Sequence, residues 1–258
     1  DVKEIKRQCK EGILYDRLIC VIEENKDGKV FRIPSEEELA VIKTIPLQEI
    51  PNESIQKNSA GGDTLSWGIT KWGEMYSNRQ LLVMHSLINE KKNLLENFRH
   101  FEKDYSIAIS TYLAFLIDRI AMRNTRHNTW HLQQDTIEKV FGRQAISMVF
   151  DYPEMNPFSK FTSSAYSQLE QIINYIDEES KFFNASICEN ASSGDKNQFS
   201  HKDLDVVVTD PPYYDNIGYA DLSDFFYVWL RHSLGKIYPD LFKTLLVPKV
   251  QELIATPH

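Results

Sequence analysis

Cysteine is almost missing from this chain: Cys9, Cys20 and Cys188 stand far apart among 258 residues, with no Cys-x-x-Cys pair. That excludes a disulfide framework and leaves a zinc ribbon without ligands, so no metal site is expected and a reducing, cytoplasmic setting is. Glycine is sparse too, and its one adjacent pair, Gly61-Gly62, lies in the polar stretch SAGGDTLS with no apolar strand before it. Such a pair reads as a linker rather than a cofactor-cradling loop. No apolar run reaches the length of a bilayer and the N-terminus is charged rather than signal-like, so no membrane partner is expected. Positive charge is in deficit: 29 Lys and Arg face 37 Asp and Glu, for a net charge of −8. Because Lys and Arg on phosphates dominate bulk nucleic-acid binding, any such contact has to come from a local patch.

What the chain does have is concentrated in residues 204–218, LDVVVTDPPYYDNIG. The run Val206-Val207-Val208 is continuous rather than alternating, as in a strand buried on both faces of a parallel sheet. It empties into Asp210-Pro211-Pro212-Tyr213, and ligand sites in such sheets lie at the carboxyl ends of the strands. An exocyclic amine of adenine or cytosine is a poor nucleophile, its lone pair being delocalised into the ring. The Asp210 carboxylate and the Pro211 carbonyl are suited to accept the two amine protons and draw the nitrogen toward a tetrahedral geometry. The two prolines stiffen the loop, and Tyr213 offers a ring on which an extruded base stacks, worth roughly 1–3 kcal/mol. This is the pattern of an amino-methyltransferase, with S-adenosylmethionine as the expected methyl donor.

The wider sequence carries a resemblance. The stretches TDPPYYDNIGYADLSDFFYVWLRHSLG, GITKWGEMYSNRQLL from Gly68, FGRQAISMVFDYPEMNPFS from Phe141 and LLVPKVQELIATPH at the end resemble the large adenine-specific DNA methylases that often carry a zinc-ribbon insertion. The resemblance covers most of the chain from about Trp67 onward. It implies an α/β, Rossmann-like fold, S-adenosylmethionine as cofactor, adenine N6 of DNA as target, and a place in restriction or phage defence. The glycine-rich cofactor loop of that family, Asp-Pro-Phe-Ala-Gly-Gly-Gly, has no counterpart here. The chain therefore reads as an N-terminal α+β appendage and linker over 1–66 and a partial catalytic domain over 67–258. Missing portions of the same enzyme, or a partner subunit, are expected to complete the cofactor pocket. Methylation of guanine N2 in structured RNA, and a non-catalytic assembly or DNA-binding subunit, stay open as alternatives.

Along the chain, residues 18–23 and 29–33 flank the turn 25–28 as a hairpin, and Ser35 with Glu38 gives a capping box for a helix through Ile42. Long amphipathic helices are expected from Arg79 and over 105–122. The segment Met75-Tyr76-Ser77-Asn78-Arg79-Gln80 resembles, with Ser-Asn in place of Thr-Pro, the Thr-Pro-Arg segment that begins the cofactor-touching helix in many adenine methyltransferases, which implies Tyr76 and Ser77 at the cofactor; plain helix capping by Ser77 or Asn78 is the alternative. Residues 145–150 read as a strand ending in Asp151, Glu154 and Asn156. An acidic group there commonly holds ribose hydroxyls, although surface carboxylates also follow strands. After a further candidate strand at 182–188, Asn190 is in position to read the cofactor adenine. Tyr214, Asp215, Asn216 and Tyr219 form a polar aromatic loop suited to close over a flipped base. Arg123 and Arg126 sit in a basic stretch, 119–143, that is either a DNA contact or a solvated helix face. Phe225, Phe226, Trp229 and Leu230 are expected to pack as core from a helix that starts at Asp221 or Ser223 and ends near Gly235.

Overall fold

The computed structural model describes residues 1–49, 51–57, 59–97, 100–142, 145–160, 163–182, 186–195, 204–213, 217–250 and 253. After α1 (Val2–Lys10), the strands β1 (Val21–Asn25) and β2 (Gly28–Arg32) form the expected antiparallel hairpin, with Val21 opposite Arg32 and Asn25 opposite Gly28. The turn closes because Gly28 takes a φ of 120°, which a side chain would oppose. α2 (Glu36–Thr44) starts with both halves of its capping box: Glu38 N donates to Ser35 Oγ (3.2 Å) and Ser35 N to Glu38 Oε2 (2.7 Å). Among the described residues, none before Pro51 is buried.

Dense packing begins at Pro51, inside the stretch that the sequence presents as a linker. Pro51, Glu53 and Ile55 alternate as buried positions, and this strip is zipped to residues 70–73 by Ile55 N to Thr70 O (2.8 Å) and Trp72 N to Glu53 O (3.1 Å). Gly61 and Gly62 lie at the tight centre of this region. A Cβ on Gly61 would stand 2.8 Å from Met75 Cε, and one on Gly62 2.1 Å from the Lys57 carbonyl oxygen. The pair is there for close backbone approach, not for flexibility.

Three helices build the core. α3 (Asn78–Asn97) and α4 (Lys103–Ala121) arise where the apolar periodicity puts them, and α6 (Tyr219–Leu234) lies across α4. Trp72, Met75, Met84, Ile117, Ile120, Phe225 and Trp229 belong to one apolar cluster between them. α5 (Ala165–Glu179), capped by Ser164, also packs on α4, and the sequence reading had no helix there.

The molecule is a mixed α/β structure, and among the described residues β1–β2 and the short pair β3 (Trp130–His131) and β4 (Thr136–Ile137) form two small sheets. Among the described residues there is no parallel sheet. Residues 204–208 and 145–150, both expected as strands, form none. In the former, Val206, Val207 and Val208 are 75%, 71% and 90% exposed. A twice-covered strand needs neighbours on its edges to take its N–H and C=O groups, and no described strand lies beside this run. The centre of the 182–188 candidate lies outside the described residues.

Candidate functional site

The Asp-Pro-Pro-Tyr loop runs into the N-terminus of α6. Asp210, Pro211, Pro212 and Tyr213 are all exposed, Tyr213 by 64%. The Tyr213 N–H donates to the Tyr219 hydroxyl oxygen (3.4 Å), which ties the loop to the first turn of the helix. Tyr214, Asp215 and Asn216 lie outside the described residues.

α6 itself is anchored along its length. The Phe225 ring meets Trp72 at 6.2 Å, Tyr76 at 6.4 Å and Phe141 at 5.3 Å, and the Trp229 indole N–H donates to the Tyr76 hydroxyl (2.8 Å). Asp224 is fully buried and accepts from Val247 N (2.9 Å) and Lys249 Nζ (2.8 Å), which draws the segment after the helix back onto it. Burial pushes the Asp224 pKa up, and the Lys249 ammonium only partly opposes the shift.

The second feature is a cavity of about 970 Å³ between the N-terminal hairpin and the body. Its polar floor comes from two segments far apart in sequence. Ser77 Oγ donates to Glu154 Oε1 (2.6 Å) and Arg79 Nε to Glu154 Oε2 (2.6 Å). Burial works against the Arg79 charge, but its bond and attraction to Glu154 outweigh that and raise its pKa. Asp151 and Asn156 line the same cavity from exposed positions, and Asn156 Oδ1 holds the turn by accepting from Phe158 N (3.0 Å). Trp130, Phe31 and Phe150 give the cavity aromatic wall. Burial, followed by the nearby carboxylates Asp16 and Glu154, raises the pKa of Tyr152, which also lines it.

The structure thus brings Asp151, Glu154 and Asn156 to one cavity, with Ser77 bonded to its floor. Ser77 is also a helix cap, since Ser77 N donates to Gln80 Oε1 (2.8 Å) and Gln80 N to Ser77 Oγ (3.2 Å). Tyr76 lies in the core on Trp229, and burial pushes its hydroxyl pKa well above the ordinary value. Asn190 is exposed and does not line the cavity. In the basic stretch, Arg119 and Arg126 are engaged internally. Arg119 Nε donates to Gln168, Arg126 pairs with Asp16 (2.9 Å), and burial followed by the Arg119 charge lowers the Arg123 pKa. The sequence reading assigned no cavity role to Asp16, Arg79, Trp130 or Tyr152, although Arg79 lies in the segment 75–80 that leads into α3, Trp130 in the basic stretch and Tyr152 between Asp151 and Glu154. Among the described residues no helix is long and apolar enough to cross a membrane. Comparison with family models, with curated proteins and with solved structures finds no match.

Proposed function

We propose that this chain is the catalytic region of an S-adenosylmethionine-dependent DNA adenine-N6 methyltransferase with a Rossmann-like ancestry, the Asp-Pro-Pro-Tyr loop acting on a flipped base. The observation that supports the reading best is the cavity: Ser77 and Arg79 meet Glu154 across 77 and 75 residues of sequence, beside Asp151 and Asn156. Its volume falls in the range of small-molecule sites, and aromatic wall over a polar floor suits a nucleoside. Asp151 would accept from ribose hydroxyls, while Glu154, with both oxygens engaged, holds Ser77 and Arg79 in place. The cofactor, when bound, supplies the methyl group. At the loop, the Asp210 carboxylate and the Pro211 carbonyl accept the two amine protons, and Tyr213 stacks on the base.

Titration calorimetry with S-adenosylmethionine, followed by methyl transfer to an adenine-containing oligonucleotide, tests the proposal. Asp151→Ala weakens cofactor binding by about tenfold, the scale of one lost hydrogen bond to a charged group. Asp210→Ala abolishes transfer and, being at an exposed site, moves stability by no more than ~0.5 kcal/mol. Cofactor affinity that ignores Asp151, or transfer that survives Asp210→Ala, removes the reading.

One observation favours a second reading, a subunit that works only in assembly: the apolar run 206–208 is uncovered. Cofactor binding that appears only after another protein covers this run would decide for it.

A further inference from the structure

Residues 15–42 close one side of the cavity, and the way they are attached sets them apart from the body. No described residue before Pro51 is buried, so this segment brings no apolar core to its contact with the rest of the chain. Polar contacts around its rim hold it instead. Arg126 Nη2 pairs with Asp16 Oδ1 (2.9 Å), and Lys29 Nζ with Asp135 Oδ2 (3.3 Å). The Lys29 ammonium also reaches the Asp135 carbonyl and stands 5.3 Å from the centre of the Trp130 ring, against which Phe31 sits edge-on at 6.4 Å. Beyond the cavity, Gln48 N donates to Asn78 Oδ1 (2.8 Å) and His85 Nε2 bonds the Glu49 carbonyl (2.6 Å).

Asp135, the residue gripped by Lys29, has a φ of 53° and is the one non-glycine residue with a left-handed backbone among those described. A side chain in that region is held there by its surroundings. A covering segment with no buried residue has little hydrophobic free energy to lose on opening, and ion pairs exposed in part hold it weakly. α3 and α4, by contrast, bury a continuous cluster. The cavity therefore lies between a firm floor and a lightly fastened cover.

We propose that residues 15–42 are a lid over this cavity, latched to the body by the Asp16–Arg126 and Lys29–Asp135 pairs, and that ligand enters and leaves when the latches open. The identity of the ligand rests on the cofactor reading above; the lid rests on packing alone.

Cys20 lines the cavity from the lid and carries a free, half-buried thiol, so its rate of reaction with a thiol reagent reports opening. The full chain with Cys9→Ser and Cys188→Ser is compared with the same chain also carrying Asp16→Ala and Lys29→Met. Loss of both latches is expected to speed Cys20 labelling about tenfold while the urea midpoint of the core stays nearly constant. S-adenosylmethionine is expected to slow labelling in the chain with its latches intact. An unchanged labelling rate, or a rise matched by an equal loss of global stability, overturns the lid. If S-adenosylmethionine neither binds nor slows labelling, the cofactor reading fails, and labelling without ligand still decides the lid.

Discussion

His127 has its imidazole in the interior, bonded through Nδ1 to the Ser147 carbonyl (2.9 Å). Burial holds its pKa down at about 4, against an ordinary 6.5. The unfolded chain thus takes up a proton that the folded chain refuses. This contribution to stability is whole above pH 6.5 and is lost as the pH falls through 4. Urea midpoints measured from neutral to acid pH are expected to fall across that window, and less steeply in His127→Asn. Lys91 gives a slope of the same sign in a more alkaline window. Its ammonium is buried on Ser110 Oγ (2.9 Å) and the Ser233 carbonyl (2.8 Å), and burial, with a lesser push from Lys92, lowers its pKa from 10.5 to about 8. The cost of burying the charge is full below pH 8 and is relieved as the pH rises toward 10.5, so stability rises there, and Lys91→Met removes the rise. In the sequence His127 shows only as a member of the basic stretch 119–143, and Lys91 does not stand out at all. The Ser35–Glu38 capping box is legible because its partners lie three residues apart, whereas Lys91 finds Ser233 across 142 residues.

The elements divide the same way. α3, α4 and α6 are readable because a helix closes its hydrogen bonds within its own segment and shows its buried face every third or fourth residue. A strand shows only half of what it needs. The run 204–208 has the composition of a buried strand, but pairing depends on residues elsewhere, and no described strand is beside it. Gly61 and Gly62 were misread for a related reason: a glycine pair marks both flexible and crowded backbone, and only the nearby Met75 and Lys57 tell which. The aromatic stripe of α6 was legible as core, and Phe225→Ala is expected to cost ~3–5 kcal/mol in urea unfolding because its ring is enclosed by Trp72, Tyr76 and Phe141. Asp151, Glu154 and Asn156 were picked out as the end of a strand that does not form; they reach one cavity because they follow one another within six residues. Asp16 was not picked out, because its place beside Arg126 is fixed by contacts across 110 residues.

For the whole molecule, packing is uneven along the chain. Helices α3, α4 and α6 share one cluster, while residues 186–195 and 204–213 are exposed throughout. Limited proteolysis is expected to cut first between α5 and α6, where exposed backbone offers itself to the protease. The two pieces should elute together on size exclusion, since α6 stays packed on α4; separation of the pieces would show that α6 is held by chain continuity alone. That helix is fixed at both ends. At one, the Tyr219 hydroxyl accepts from the Tyr213 N–H of the Asp-Pro-Pro-Tyr loop; at the other, the Lys91 ammonium grips the carbonyl of Ser233 in its last turn. Sixteen residues make it about 24 Å long. A shift of α6 along its axis has to break the Lys91–Ser233 bond together with the Asp224 bonds to Val247 and Lys249, so the first turn that receives the Tyr213 N–H is held by contacts far along the chain from it.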